Sequence, residues 1–196
     1  MLKQFLLMTA VLFLLAGTAT SEDCVETVII DSVEYSVGPR WCGKKLDSTQ
    51  LAQPERLALI PAQFCFEDYR IYVDVTARDA FVSMAEAADK AGFLLMVDSG
   101  YRSARYQARI IAKYIKDGGR FADITRYVAP PGYSDHEAGR TVDMVPSDAT
   151  FSRTDTYRWL KENAIEFGFV ENSPKDTTGL MPWEPWHWTY QTVDED

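Results

Sequence analysis

The stretch SDHEAGRTVD at residues 134–143 contains one of only two histidines in a chain of 196 residues. His136 and Asp143 lie seven positions apart in it. Gly139, between them, predicts a tight turn that leads into a strand over residues 141–145. Such a turn would bring both side chains to the same point, so this stretch is a candidate half of a metal site.

The second histidine, His187, lies in EPWHW at residues 184–188. Two histidines and one carboxylate are a common ligand set for a catalytic zinc ion, which keeps a fourth position open for water. Glu184 precedes His187 by three residues, and Pro185 argues against a helix between them. We therefore expect Glu184 at a bend near the metal, where a carboxylate that does not bind the ion can act as a general base.

A third block, SGYRSARYQ at residues 99–107, precedes the other two. The three blocks in this order resemble the VanY-type D-alanyl-D-alanine carboxypeptidases, within the group of zinc peptidases that includes lysostaphin-like and hedgehog-like domains. The family pattern is S-x-H-x-x-G-x-A-x-D followed by E-x-W-H, and the resemblance extends over roughly residues 70–190. Thr141 departs from the pattern, because alanine is usual there.

The resemblance implies a Zn²⁺ enzyme that hydrolyses the terminal D-Ala-D-Ala bond of a peptidoglycan stem peptide. An L,D-carboxypeptidase or a peptidoglycan endopeptidase would use the same residues. A metal-containing domain that binds wall peptides or a protein partner without cleavage is the alternative from another class, but the presence of both Glu184 and Arg102 favours an enzyme. The implied zinc ligands are His136, Asp143 and His187. The implied catalytic residues are Glu184, as the base, and Arg102, which would contact the oxyanion or hold the substrate. The implied peptide contacts are Ser134 and Gln107.

Periodicity predicts an α+β fold in a single domain, with a small, mostly antiparallel sheet and helices packed on it, as in the hedgehog-like and D-Ala-D-Ala peptidases. A hairpin is expected near residues 25–41. Helices are expected over residues 77–91, from Ser103 onward, over 121–127 and over 154–167. The helix that starts at Ser103 should have Tyr106, Ile110 and Tyr114 on its apolar stripe. Strands are expected over residues 71–75, 93–97, 141–145 and 186–190, and a loop over 172–182.

The three cysteines, Cys24, Cys42 and Cys65, allow one disulfide and one remaining thiol. Cys24–Cys42 would bracket the hairpin, and Cys42–Cys65 is the alternative pairing, only slightly less favoured. The sequence leaves this choice open.

Residues 1–21 have the charge, apolar stretch and small residues of an export signal, and the apolar stretch is too short to span a bilayer. We expect residues 22–69 to form an N-terminal hairpin and extension, and residues 70–196 to form the zinc peptidase domain. We expect the protein to be located in the periplasm or the extracellular cell envelope. After signal cleavage it should have no stable membrane insertion, and we expect a monomer. The net charge of −9 argues against nucleic acid as a partner.

Overall fold

A computed structural model describes residues 24–172 and 180–191. The predicted export signal and most of the loop expected over 172–182 lie outside the described residues. Within them, no helix is long and apolar enough to cross a membrane.

The central sheet is antiparallel and has four strands in the order β5-β6-β8-β7. The strands are β5 Val97–Ser99, β6 Thr141–Met144, β7 Phe169–Glu171 and β8 His187–Tyr190. All four residues of β6 are buried, since this strand lies inside the sheet and is covered on both faces. The predicted α+β fold class with a small antiparallel sheet is confirmed.

Helix α2, Val75–Lys90, packs on this sheet as its periodicity predicts. The buried residues Phe81, Met84, Ala85 and Ala88 share a core cluster with the strands. The Asp74 carboxylate caps the helix by accepting a hydrogen bond from the Thr76 amide. Asp74 is also the last residue of strand β4, Tyr72–Asp74, so strand and helix meet without a connecting loop.

Helix α3, Ala104–Lys116, begins directly after Ser103, as expected, and the Ser103 hydroxyl caps it by accepting a hydrogen bond from the Tyr106 amide. The predicted apolar stripe is wrong. Tyr106 and Tyr114 are 46% and 50% exposed, whereas Gln107 and Ile111 are buried. The α3 face that enters the core is therefore centred one position further along the chain and includes a polar side chain.

The strand expected over residues 93–97 is also displaced, because β5 begins only at Val97. Leu94 is 61% exposed while Leu95 is buried, so the apolar stretch does not form one buried strand. The Met96 carbonyl accepts a hydrogen bond from the Val145 amide, and the sheet register shifts within β5. This irregularity leads the chain directly into the SGYRS segment.

The N-terminal segment contains the predicted hairpin, with β1 Thr27–Ile30 and β2 Val33–Ser36, followed by helix α1 Gly38–Trp41. A second core cluster joins this segment to α3 and α4. Cys24 and Cys42 form a disulfide and Cys65 is a buried free thiol, which resolves the open pairing. The other elements are β3 Leu57–Leu59, β4 Tyr72–Asp74, α4 Phe121–Ile124, α5 Asp155–Asn163, and 3-10 turns at Pro54–Arg56, Ala62–Phe64, Asp135–Ala138, Ala149–Arg153 and Ala164–Phe167.

Candidate active site

Two neighbouring strands and one turn bring the three predicted zinc ligands together. Asp143 on β6 is the register partner of His187 on β8, so the two side chains are direct cross-strand neighbours. His136 lies on the 3-10 turn Asp135–Ala138, which ends at Gly139 with a left-handed φ of 70°. The turn reverses the chain into β6 and returns His136 to the same face as Asp143.

The donor atoms of His136, Asp143 and His187 all lie within 4.8 Å of one another. His136 Nε2 is 3.3 Å from Asp143 Oδ2, and His187 Nδ1 is 2.9 Å from Asp143 Oδ1. The three residues are only 3%, 4% and 8% exposed. Two imidazole nitrogens and one carboxylate oxygen at this spacing suit a zinc ion, whose bonds to such atoms are about 2 Å long.

The ring of His136 is fixed by the backbone. Its Nδ1 lies 2.7 Å from the Gly100 carbonyl, which can only accept, so Nδ1 carries the proton and Nε2 presents a lone pair toward Asp143. Burial lowers the pKa of His136 and keeps the ring neutral. Gly100 is required for this contact, because a Cβ there would lie 2.7 Å from both Ile71 Cγ2 and the Tyr72 carbonyl oxygen.

His187 lies among three carboxylates. Besides Asp143, its Nε2 is 3.7 Å from Asp135 Oδ2 and its Nδ1 is 3.9 Å from Glu184 Oε2. Burial opposes a charged ring, but the nearby carboxylates of Asp135 and Asp143 outweigh it and raise the pKa of His187 to about 10. The surrounding carboxylates therefore favour a positive charge at this point. Either a proton on the His187 ring or a divalent cation between the ligands can supply that charge.

Glu184 lies at the bend that was predicted. The His187 amide donates to the Glu184 carbonyl at 3.0 Å, which closes a turn just before β8. Burial raises the pKa of the Glu184 carboxyl, and the charge of Asp143 adds to this effect although His187 opposes it. A partly buried carboxylate with a raised pKa beside a metal site is suited to accepting a proton.

Arg102 reaches the site but contacts a predicted ligand. Its Nη2 donates to Asp143 Oδ2 at 2.5 Å and its Nε donates to Ser99 Oγ at 2.9 Å. These bonds hold both the guanidinium and the Asp143 carboxylate in fixed orientations. The assignment of Arg102 to an oxyanion contact remains a prediction.

Gln107 and Ser134 are buried in the wall of a cleft of about 560 Å³ that contains the three predicted ligands, which we call the triad cleft. Gln107 Nε2 donates to the Ala129 carbonyl at 2.9 Å. The orientation of the amide is thereby fixed, since Oε1 could not face that carbonyl. Gln107 Oε1 has no hydrogen-bond partner among the described residues.

Two contributors to the site were missed from the sequence. Asp135 is adjacent to His136 but pairs with His187 and accepts a hydrogen bond from Asn172 Nδ2. The Gly100 carbonyl orients His136 from the SGYRS segment. The only signal in the sequence is that Asp135 and Gly100 are near predicted site residues along the chain. Their contacts with the two histidines depend on the tertiary fold.

A buried His/Asp/His group beside a carboxylate of raised pKa, all in one open cleft, defines a candidate metal-dependent hydrolase. A sequence model of the VanY family, D-alanyl-D-alanine carboxypeptidase, matches residues 70–193. The chain therefore belongs to the VanY family, and it is a peptidase.

Known proteins of this family resemble the chain over most of its length. A D-alanyl-D-alanine carboxypeptidase of Enterococcus faecalis is 28% identical over 193 residues, which are 91% of this chain and 69% of that protein. The structure of the LdcB LD-carboxypeptidase, described as revealing the basis of peptidoglycan recognition, aligns with a TM-score of 0.67 at 28% identity, covering 84% of this chain and 83% of that one.

Two solved structures of VanY-type enzymes contain ligands. A variant of the D,D-pentapeptidase VanY in complex with Zn(II) is 31% identical with a TM-score of 0.52, covering 67% of this chain and 82% of that one. VanYB in complex with D-Ala-D-Ala is 30% identical with a TM-score of 0.52, covering 71% and 84%. Members of the family thus bind zinc and a D-Ala-D-Ala ligand.

Proposed function

We propose that this protein is a zinc-dependent carboxypeptidase that hydrolyses the terminal D-Ala-D-Ala bond of peptidoglycan stem peptides. The observation that carries the proposal is the buried His/Asp/His group with Glu184 beside it in the triad cleft. Membership of the VanY family and the zinc and D-Ala-D-Ala complexes of its relatives support it.

His136, Asp143 and His187 would hold the zinc ion. When bound, zinc supplies Lewis-acid polarisation of the substrate carbonyl and lowers the pKa of water. Glu184 accepts a proton from the attacking water and transfers it to the nitrogen of the leaving D-Ala, a task for which its raised pKa is suited.

Arg102 and the cleft wall position the substrate. The Arg102 guanidinium donates a hydrogen bond to the ligand Asp143 and thereby orients it. Because this bond places the guanidinium beside the zinc site, it can also stabilise negative charge on the substrate carbonyl oxygen. Gln107 lines the same cleft, and its buried Oε1, which has no hydrogen-bond partner among the described residues, is the proposed acceptor for a peptide N–H of the substrate. The Ser134 hydroxyl provides a second polar contact in the same cleft.

L,D-carboxypeptidase activity is a second candidate, because LdcB carries that name and its structure aligns over most of this chain. The same residues would hydrolyse either bond, and the shape of the cleft would select between them. We further propose that the protein acts as an exported monomer in the periplasm or extracellular cell envelope; the signal-like residues 1–21 and the proposed wall substrate support export.

The test is hydrolysis of defined wall peptides. The mature chain, loaded with zinc, is incubated with a stem pentapeptide ending in D-Ala-D-Ala, and release of D-Ala is followed by mass spectrometry. We expect one D-Ala per peptide, and Glu184→Ala should lower the rate by about 10²-fold or more while zinc content is unchanged. Release from a tetrapeptide instead would show L,D specificity. No release from penta-, tetra- or cross-linked peptides would contradict the proposal.

A further inference from the structure

A second cleft, of about 790 Å³, adjoins the triad cleft. Arg102, Asp143 and Trp186 line both clefts, so a peptide bound at the predicted zinc site can continue from one into the other. We call the second one the arginine cleft. Its charged lining residues are Arg70, Asp98, Arg102, Arg109 and Asp143.

Three of these five charges already have partners within the cleft. Arg102 and Asp143 form an ion pair with each other. Asp98 accepts a hydrogen bond from the Ser147 hydroxyl at 2.6 Å, and its burial disfavours the charged form. The cleft therefore presents Arg70 and Arg109 as its two available cations.

Each of these arginines is held by a tyrosine rather than by a carboxylate. Arg70 Nη2 donates to the Tyr72 hydroxyl at 3.0 Å, and the Arg109 guanidinium lies over the Tyr106 ring, 5.1 Å from its centroid. Neither arginine forms an ion pair within residues 24–172 and 180–191. This is notable in a chain with 29 acidic and 20 basic residues.

Such contacts leave the guanidinium groups ready for an anion. Arg109 lies over a ring and keeps its N–H donors free, whereas Arg70 uses one N–H of Nη2 for the Tyr72 hydroxyl and keeps the others. The planar fork of a guanidinium matches a carboxylate in a two-bond geometry. The tyrosine contacts also restrict the side chains in advance, which lowers the entropic cost of binding.

The position of Glu184 indicates which part of a peptide would reach these arginines. Glu184 lines the triad cleft and not the arginine cleft. Because it is proposed to protonate the leaving amine, the leaving D-Ala would lie in the triad cleft. The segment that precedes the hydrolysed bond would then extend into the arginine cleft.

We propose that Arg70 and Arg109 form a subsite for a free carboxylate on the peptide segment that precedes the hydrolysed bond. A γ-linked glutamate provides such a group, since its α-carboxylate stays free. This inference rests on the proposed function and specifies the substrate: an anionic peptide is preferred over the same peptide with that carboxylate amidated.

The test compares two pentapeptides that end in D-Ala-D-Ala and differ only in the α-carboxylate or α-amide of a γ-linked glutamate. The dissociation constants are measured by calorimetry with Glu184→Ala, and kcat/KM is measured with the wild-type enzyme. We expect the carboxylate peptide to be preferred by about fivefold or more in both measurements. Arg70→Gln and Arg109→Gln should each reduce the preference, and the double variant should abolish it. Arg105→Gln is the matched control, because Arg105 is exposed on the same helix as Arg109 but lies outside the cleft.

The outcomes separate the two proposals. Hydrolysis without any preference between the peptides contradicts the subsite alone, as does a preference that survives in the double variant with native circular dichroism. A carboxylate preference in binding without hydrolysis of either peptide contradicts the proposed carboxypeptidase function and supports the subsite.

Discussion

The two histidines are oriented by different parts of the chain. The Gly100 carbonyl fixes the His136 ring, and the Asp135 carboxylate lies 3.7 Å from the Nε2 atom of His187. Partners of this kind set the tautomer and direction of a metal ligand and contribute strongly to metal affinity. The site is thus prepared for a cation before any cation binds.

Removal of either histidine should remove metal and activity together, because the chain contains no third histidine to replace it. We expect His136→Ala and His187→Ala to lose stoichiometric zinc after dialysis and to release no D-Ala from a stem pentapeptide. Metal content is measured by mass spectrometry beside the hydrolysis assay. Glu184→Ala is the control, since it should lose activity but keep zinc. Full zinc content in His136→Ala would contradict the assigned ligand set.

Gly139 connects two predicted ligands, and its replacement should disturb both. Its φ of 70° strains any L side chain, and a Cβ there would lie 2.8 Å from the Ala52 Cβ. Gly92 has a φ of 86° and open space around it, so Gly92→Ala measures the backbone strain alone. We expect Gly92→Ala to cost about 1 kcal/mol in the free energy of unfolding.

Gly139→Ala should cost about 1–3 kcal/mol more than Gly92→Ala, because the clash with Ala52 adds to the strain. It should also weaken zinc binding, since the turn sets the position of His136 relative to Asp143. Urea unfolding and zinc titration measure the two effects. Equal losses of stability in both variants, with unchanged zinc affinity, would show that the turn adapts without displacing the ligands.

At the scale of elements, Asp74 joins β3, β4 and α2. It caps α2 through the Thr76 amide and forms an ion pair with Arg56, whose Nε lies 2.8 Å from Asp74 Oδ2. Burial raises the pKa of Asp74, but the bonds to Arg56 and Thr76 outweigh it, so the net pKa is lowered. The charged carboxylate therefore stabilises the folded state.

Asp74→Ala should lower the free energy of unfolding by about 1–2 kcal/mol at neutral pH, because both cap and ion pair are lost. Asp74→Asn keeps a capping oxygen and should lose less. The pKa of Asp74 is lower in the folded state, so its ionic contribution is complete above the unfolded pKa of about 3.9 and is lost as pH falls through the folded pKa. Denaturant unfolding should show the gap between wild type and Asp74→Asn closing at acidic pH. A gap that stays constant down to strongly acidic pH would contradict an ionic origin.

Elements fixed by local contacts are the ones that the sequence predicts well. The hydroxyls of Ser103 and Thr154 accept hydrogen bonds from amides three residues later, and both helices begin where these caps indicate. The buried face of α3 was wrong because tertiary packing selects it. Gln107 enters the core by bonding the Ala129 carbonyl, while the apolar tyrosines Tyr106 and Tyr114 border the clefts.

The sequence identifies the candidate ligands but does not give their geometry. The pattern of His136, Asp143 and His187 is visible in the sequence, whereas the register that pairs β6 with β8 depends on contacts between distant segments. The same limit applies to Arg102. Its position in SGYRS indicated the site, but its bond to the predicted ligand Asp143 depends on the folded chain.

At the scale of the whole molecule, the N-terminal segment contributes to the wall of the triad cleft. Trp41 and Leu46 line that cleft together with the predicted ligands. Trp41 Nε1 donates to the Thr125 carbonyl at 2.9 Å, and the Leu46 amide donates to the Gly132 carbonyl at 2.8 Å. Stability of this segment should therefore influence substrate binding.

The Cys24–Cys42 disulfide closes a loop around the hairpin and α1. In the loop-entropy account a bridge of this sequence separation contributes about 3 kcal/mol. We expect the double variant Cys24→Ser and Cys42→Ser to lose about this amount in the free energy of unfolding. Its KM for a stem pentapeptide should rise more than its kcat falls, because the segment lines the cleft but carries no proposed catalytic group.

Cys65 supplies the control for this experiment. Its thiol is buried, contacts the Ile60 carbonyl oxygen at 3.7 Å, and has a pKa raised by burial, so it should not react with a thiol reagent in the folded protein. Wild type should therefore show no reactive thiol when native and one when unfolded without reductant. Cys65→Ala should leave KM unchanged while the double serine variant alters it. Three thiols in the unfolded wild type, a reactive thiol in the native protein, or a double variant as stable as wild type would contradict the assigned bridge and its stabilising role.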